Sequence, residues 1–243
     1  MSTAQATALE QRNLFFAIHL ITLGTSLKLA FSTTLVLTLI GTPIAWWLAR
    51  SESLLAGLCI PLLALPLVLP PTVIGFYLLL AFSPNHFLGA TWLDWFGSSL
   101  AFSFEGLLLG SIIYSLPFFM QPMIIAFREL PEDLFKAAAS LGATALDRFT
   151  TLVLPLSKHG FLIACTLTFA HTLGEFGIVL MIGGNLEGET RVLSIALFDY
   201  VETLNYERAH LLAAGLVGFS LITLILVQWA THRGYRASSL STR

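Results

Sequence analysis

The sequence predicts an all-α protein embedded in a membrane, with about five transmembrane helices. Of its 243 residues, 56% are hydrophobic and only 11% are charged, and the mean hydropathy is +0.83. A soluble domain carries about 25% charged residues, so this chain has too little polar surface to be covered by water alone. Its apolar residues form long runs that lack the two-residue alternation of membrane β-strands. Because backbone groups in hydrocarbon must bond within their own segment, these runs are predicted to be helices.

Five of the runs are long enough to cross about 30 Å of hydrocarbon, which takes roughly 20 residues. The predicted spans are 27–49, 54–82, 106–127, 160–182 and 209–230. They divide the chain into a polar and interfacial segment 1–26, a membrane domain 27–231 and a tail 232–243. Within the first segment, the apolar stretch Leu14–Leu23 is too short to span and is predicted as an amphipathic interfacial helix. A sixth, tilted span at this place is the alternative left open.

Basic residues predict the orientation of the spans, because cytoplasmic loops carry an excess of Lys and Arg. Eight of them lie after the first span, between the third and fourth, and after the fifth: Arg50, Arg128, Lys136, Arg148, Lys158, Arg233, Arg236 and Arg243. The opposite side has four: Arg12, Lys28, Arg191 and Arg208. The tail and the loop 129–159 are therefore predicted to be cytoplasmic, and the amino terminus external. Five tryptophans near span ends suit the headgroup layer: Trp46, Trp47, Trp92, Trp95 and Trp229.

Prolines interrupt the second predicted span at four positions: Pro61, Pro66, Pro70 and Pro71. Each proline removes a backbone donor and clashes with the preceding turn. A broken helix persists in a membrane where neighbouring groups or a water-filled cavity satisfy the freed carbonyls. Two interpretations stay open: ordinary kinks, or helices that line a translocation path and bend during gating, with Pro70 and Pro71 at the gate. The third span repeats the pattern with Pro117 and Pro122.

The loop 129–159 is predicted to form two short helices joined by a glycine. An acidic first turn after Pro131 suits a helix start, three alanines continue the helix, and Gly142 ends it. A second short helix is predicted to open near Thr144, and Pro155 ends the segment before the fourth span. The small side chains make a compact knob that can enter a groove of a partner protein.

This loop resembles the "EAA" coupling loop of bacterial ABC importer permeases, which docks on the ATP-hydrolysing subunit. The resemblance implies that the coupling residues are Lys136, Ala137, Ala138, Ala139, Gly142, Leu154 and Pro155. The glutamate that usually precedes the two alanines is replaced by Lys136, so its ion-pairing role does not carry over. A generic connector between spans is the alternative interpretation.

Three further segments narrow the resemblance to oxyanion permeases. Leu65–Gly75 resembles their second core span, and His171–Gly177 contains the "LGEFG" segment of the molybdate, tungstate and sulfate branch. Gly188–Arg191 resembles the "GETR" turn of molybdate permeases. The resemblance implies a type I importer permease in the inner (cytoplasmic) membrane that carries molybdate or tungstate, with sulfate or thiosulfate as the alternative substrates. It also implies a homodimer, an ATP-binding cassette subunit, and a periplasmic binding protein that docks on the external loop Gly183–Arg208.

Glu175 is an acid within the fourth predicted span, where a charge costs at least about 2.5 kcal/mol. It should therefore face protein or water. In one interpretation it is structural and accepts hydrogen bonds from backbone amides of a neighbouring kinked helix, near Gly174 and Gly177; in another it acts at the gate. A carboxylate repels an oxyanion and is a poor substrate contact. His171 lies one turn earlier and is expected to hydrogen-bond Glu175, and the pair lacks the third ligand that a metal site requires.

Hydroxyl groups within the spans are the candidates for lining a pore, because a dianion can be met by hydroxyls and amides instead of a fixed basic site. These candidates are Thr72, Ser111, Ser115, Thr166 and Thr168. The alternative is that each hydroxyl bonds its own helix or packs against another.

The chain itself is expected to do no covalent chemistry. It has no Walker A phosphate cradle, so ATP hydrolysis is assigned to a partner, and no cofactor is predicted. The net charge of −2 argues against a nucleic-acid binder. A stand-alone carrier or channel and an intramembrane enzyme are the competing function classes; the enzyme would need a Ser/His or paired-aspartate cluster that the sequence does not offer.

Overall fold

The structure is a computed structural model that describes the backbone of residues 3–240 and the side chains of residues 20–225 and Gln228. Every regular element in this part of the chain is a helix, which confirms the all-α fold class. The helices are α1 Thr3–Val36, α2 Thr42–Arg50, α3 Leu54–Ala64, α4 Pro71–Phe82, α5 Phe87–Phe96, α6 Phe104–Arg128, α7 Glu132–Ser140, α8 Ala145–Arg148, α9 Leu154–Leu156, α10 Lys158–Gly174, α11 Gly177–Gly183, α12 Leu193–Glu202 and α13 Tyr206–Leu240.

The first span is longer than the sequence pattern predicts. α1 continues through a π-helical turn at Leu37–Gly41 into α2, and the apolar part of this run is Leu20–Arg50. The helix passes through Thr25 and Ser26 without a break, and their hydroxyls donate to the carbonyls one turn earlier. The predicted interfacial stretch Leu14–Leu23 and the tail fall mostly outside the described side chains.

The second span is two helices. The run Leu54–Leu67 and the helix α4 meet at an angle of 106°. Pro70 is extended, with ψ at 136°, and Pro71 is the first residue of α4, where a proline suits the fixed φ and needs no donor. The prolines therefore redirect the chain instead of merely kinking it.

The fourth predicted span, 160–182, is also divided. α10 ends at Gly174, Glu175 is extended, and the chain resumes a helical path as the short α11. A second bend, of 71°, separates Ala145–Leu156 from α10. The prediction of one continuous helix here is wrong, because periodicity in an apolar run does not reveal a break that side chains stabilise.

α6 lies at the centre of the fold. It stays helical through Pro117 and Pro122 and packs against α1, α2, α10 and α11. Its side chains Phe119, Met123 and Phe127 are fully buried. They form the core of the half of the molecule that includes the end of the first span.

Three helices of the described chain are long and apolar enough to cross a membrane unbroken: Leu20–Arg50, Phe104–Arg128 and Tyr206–Ile225. Each of the two bent pairs also qualifies if it is taken as one span, which gives up to five. The short helices α5 and α12 lie between spans. The architecture agrees with the predicted polytopic protein of about five spans.

Candidate functional site

Glu175 stabilises the break between α10 and α11. Its Oε1 accepts a hydrogen bond from the backbone N–H of Ile178 at 2.9 Å, at the amino-terminal end of α11 where backbone donors lack helical partners. The residue is buried, with 8% of its surface exposed, and Ser194 donates its hydroxyl to the carbonyl of Glu175. The carboxylate therefore bonds an amide of the helix that directly follows it, and not an amide of a neighbouring kinked helix as the structural interpretation expected.

The break also brings the prolines of the second span to Glu175. A Cβ on Gly177 would lie 2.7 Å from Cβ of Pro71 and 3.7 Å from Oε1 of Glu175. Further along, a Cβ on Gly75 would lie 2.9 Å from Cβ of Met181. α4 and α11 therefore run side by side in the same direction, each starting directly after a break. We call this arrangement the paired half-helices; it unites the predicted residues Pro70, Pro71, Glu175 and Gly177.

His171 is not the partner of Glu175, which corrects the expectation from their spacing. Its Nδ1 lies 3.0 Å from Oγ of Ser115, which in turn lies 2.9 Å from Oγ1 of Thr172. Thr172 donates to the carbonyl of Thr168, so Ser115 donates to Thr172 and Nδ1 of His171 carries the hydrogen in this chain of bonds. The imidazole also stacks on Phe118, with ring centroids 3.8 Å apart. Both contacts turn it towards α6.

The five hydroxyl residues proposed to line a pore occupy different environments. Ser111, Ser115 and Thr168 are buried within the helix packing, whereas Thr166 is half-buried and Thr72 is exposed near the start of α4. Oγ of Ser111 and Oγ1 of Thr168 have no hydrogen-bond partner among the described residues. Gly174 is exposed at the end of α10 and has open space around it. The pore-lining assignment stays a prediction.

A groove of about 560 Å³ follows the surface between α6 and α10. The groove is lined by Pro117, Phe118 and Leu167, and also by Leu67 of the broken second span. Polar groups also line it: Gln121, Glu129 and His159. None of the five predicted hydroxyl residues is among the groove residues, although Pro117 and Pro122 of the proline-bearing third span are. The sequence feature that could have predicted this groove is Gln121, a polar amide in an otherwise apolar helix.

The loop 129–159 has the two short helices that the sequence predicts. α7 begins after Pro131 and ends at Ser140, and Gly142 has a φ of +84°, a left-handed conformation that glycine adopts without strain. Thr144 then caps α8 in a reciprocal pair of bonds with Asp147. Leu154 and Pro155 form the short α9 before the fourth span. The predicted helix–glycine–helix knob is confirmed.

The knob exposes large apolar side chains. Leu141 is 89% exposed and Leu146 is 71% exposed, on either side of the Gly142 turn. No residue of α7 is buried; Lys136 pairs with Glu132 at 3.4 Å on its open surface. Exposed leucines at a turn between charged helices suit a protein interface better than free solvent.

The turn that resembles "GETR" is stabilised by Thr190 and Arg191. The hydroxyl of Thr190, fully buried, donates to the carbonyl of Gly183 at 2.6 Å and accepts from the N–H of Leu186. Arg191 bridges Glu187 at 2.6 Å and Asp199 at 2.9 Å. The resemblance gave these residues no individual role. Ser26 and Ser194 were also missed: Ser26 accepts from the N–H of Leu193 at 2.8 Å and ties α12 to the first span.

Comparison with known proteins identifies the class. Residues 41–233 match the family described as binding-protein-dependent transport system inner membrane component. The chain therefore belongs to this family and is a multi-pass inner-membrane transport subunit, which confirms the predicted transport class and location. The family implies two kinds of partner, a substrate-binding protein and an ATP-hydrolysing subunit.

Individual relatives are more specific. A molybdenum transport system permease protein of Azotobacter vinelandii is 48% identical over 82% of this chain and 88% of its own length. The corresponding protein of Escherichia coli K12 is 34% identical over 84% of this chain and 90% of its own. A sulfate transport system permease protein of Synechocystis is 30% identical, covering 85% of this chain and 72% of its own.

Solved structures show the same fold at low sequence identity. The MetNI methionine ABC transporter in an inward-facing conformation matches with a TM-score of 0.62 and 18% identity, over 98% of this chain and 99% of that one. A bacterial ABC transporter for the polysaccharide alginate matches with a TM-score of 0.59 and 18% identity, over 87% and 78%. Together they confirm the predicted ABC importer permease fold.

Proposed function

We propose that this chain is the membrane-spanning permease subunit of an ATP-driven importer that carries molybdate, and tungstate as a related oxyanion, into the cell by alternating access. The observation that carries the proposal is the 48% identity over 82% of the chain to a molybdenum transport permease. At that identity we expect the relative to share the paired half-helices and the external turn with this chain. The chain supplies shape change, and its partner hydrolyses ATP.

The coupling loop is the proposed docking site for the ATP-binding cassette subunit. Leu141 and Leu146 would enter an apolar groove of that partner, while Lys136 and Glu132 would stay at its rim. Such an arrangement, with an apolar centre and a polar edge, is usual for protein interfaces. Ala137, Ala138 and Ala139 would let the partner's backbone approach α7 closely.

A second copy of the chain is the proposed occupant of the α6–α10 groove. Polar side chains within spans face a bundle interior or a water-filled cavity, and Gln121 is exposed in the single chain. A homodimer that encloses this groove would place Gln121 and His159 on the inner half of a shared path. Thr72 and Thr166 are the accessible members of the hydroxyl set and the candidates for its remainder. Gly174 and Glu175 would not line the path but would hold the break between α10 and α11 that lies next to it.

Sulfate or thiosulfate transport is the second candidate function. The 30% identity to a sulfate permease supports it, and molybdate and sulfate share tetrahedral shape and a charge of −2. The relative named for molybdenum is closer in sequence, and the "GETR" turn agrees with it.

The test of substrate is ATP turnover in liposomes. The chain is reconstituted with its ATPase and binding protein, and hydrolysis and uptake are measured with molybdate, tungstate or sulfate outside. Molybdate and tungstate are expected to stimulate both. Stimulation by sulfate without an effect of molybdate would assign the second function, and uptake that persists without ATP would contradict the importer.

The test of docking uses Gly142, where a Cβ added by substitution would meet no atom within 4 Å. Gly142→Val strains the left-handed turn without a clash inside the chain, whereas Gly142→Asn tolerates the conformation. Valine is expected to abolish co-purification with the ATPase and uptake, and asparagine to keep both. If the valine variant retains both, the loop is a connector and not the coupling site.

A further inference from the structure

The end of the first span is fastened to the coupling helix through one arginine. Arg50 is the last residue of α2, and its side chain is 24% exposed. Its guanidinium carbon lies 5.0 Å from the ring centroid of Trp46 and 5.0 Å from that of Phe135 on α7. A guanidinium within about 6 Å of two aromatic centroids makes cation–π contacts with both rings. Arg50 therefore joins a residue of its own helix to one of the coupling helix.

Polar contacts of the same guanidinium reach the start of α7. Nη2 donates to the carbonyl of Leu130 at 3.2 Å, and Nη1 lies 3.9 Å from Oε1 of Glu132. Leu130 and Glu132 flank Pro131, which lies between α6 and α7. The planar fork of an arginine can reach both groups while its carbon stays close to the two rings, whereas a lysine ammonium is a compact charge without that fork.

The aromatic residues extend this contact into the hydrophobic core of the protein. Trp46 packs edge-on against Phe127 of α6 with centroids 5.2 Å apart, and lies 5.7 Å from Phe135. Phe127 is fully buried. Since no residue of α7 is buried, half-buried Phe135 and the Arg50 contacts attach the coupling helix to the rest of the chain, apart from its covalent connections.

We propose that Arg50, with Trp46 and Phe135, is a positioning joint that transmits movement of the coupling helix to the first span. The proposal rests on the coupling loop being the docking site for the ATPase. When the partner pulls α7, the covalent link at Pro131 moves α6, and the Arg50 joint moves α2 with it. Without the joint, α7 would turn about Pro131 and leave the first span behind.

The experiment measures transport per ATP in the reconstituted complex of permease, ATPase and binding protein. Arg50→Lys keeps the charge but removes the planar fork, and Phe135→Leu removes one aromatic face. Each is expected to lower the oxyanion imported per ATP hydrolysed between about twofold and thirtyfold, with ATPase association and thermal unfolding unchanged. The double variant is expected to lose little more than either single variant, because both act on one joint. Arg128→Lys, the same change at an exposed arginine that ends α6, is the matched control.

The outcomes separate this joint from the proposed function. A wild-type complex without oxyanion-stimulated hydrolysis would contradict the function itself. Normal wild-type transport with an unchanged ratio in Arg50→Lys or Phe135→Leu would overturn the joint. A ratio that falls only in step with thermal stability would assign Arg50 a purely structural role, which also overturns it. If Arg50→Lys does not fold, the Phe135→Leu ratio decides.

Discussion

Oε1 of Glu175 accepts a hydrogen bond from the N–H of Ile178 across a break in the fourth span. The carboxylate thereby accepts from an N–H that, at the start of α11, has no carbonyl partner within the helix. A buried acid that could be mistaken for a substrate or proton site is thus a cap for α11. The energetics of this cap can be measured.

Replacing Glu175 by alanine should destabilise the permease by about 1 kcal/mol, as the loss of other side-chain caps does. Glu175→Gln keeps an acceptor oxygen at the same position and should retain most of the stability. Thermal unfolding in detergent micelles measures both variants. Glu52→Ala, at an exposed glutamate, is the control and should be neutral. A glutamine variant as unstable as the alanine variant would show that the charge, and not the hydrogen bond, matters at this position.

Gly177→Ala should destabilise the paired half-helices, since the added Cβ would lie 2.7 Å from Cβ of Pro71. Overpacking of this kind costs about 1–3 kcal/mol. Gly218→Ala is the matched control: it lies in α13, and a Cβ there meets no atom within 4 Å. That change should be neutral or stabilising by up to about 1 kcal/mol. Equal unfolding temperatures for the two variants would contradict the close contact of α4 and α11.

Replacing Leu141 and Leu146 by serine should weaken ATPase binding without loss of permease stability. Both side chains are exposed in the single chain, so their removal costs little in folding. At an interface each is worth on the order of 1 kcal/mol or more, and the pair should lower affinity at least about tenfold. Leu204→Ser, at a leucine 70% exposed on the predicted external side, is the control. Unchanged affinity, measured by co-purification with varied ATPase concentration, would exclude the leucines from the interface.

Thr190→Val should open the external turn. The substitution keeps the shape but leaves the N–H of Leu186 and the carbonyl of Gly183 without the hydroxyl of Thr190. Buried groups left unpaired cost about 1–3 kcal/mol each. Thr190→Ser restores the hydroxyl and should restore stability. Stimulation of ATP hydrolysis by the binding protein is the functional measurement, and a fully stimulated valine variant would show that the turn does not shape the docking surface.

The sequence was most informative where local chemistry acts alone. Composition predicts a membrane protein because hydrocarbon excludes charge. The two helices of the loop 129–159 are predicted because Pro131 suits a helix start and Gly142 can adopt the left-handed conformation that ends a helix. The same reasoning predicts a disturbance near Pro70 and Pro71, although not the 106° change of direction, which depends on what packs against α4.

Contacts between residues far apart in the chain could not be predicted from the sequence. His171 and Glu175 have the spacing of a bonded helical pair, yet the helix ends between them and Ser115 of α6 captures the imidazole. Arg50 counted only as a positive charge near a membrane, because nothing local connects it with Phe135. The break at Glu175 depends partly on a distant contact as well, because Ser194, which donates to its carbonyl, lies 19 residues further along the chain.

The paired half-helices limit how this protein can be recombined with its relatives. Gly75 meets Met181, and Gly177 meets Pro71, so each segment supplies the small residue for one of the contacts and the large residue for the other. A chimera that imports only α4 from another permease would inherit half of each complementary pair. The two segments are separate in the gene, but they form one exchangeable unit.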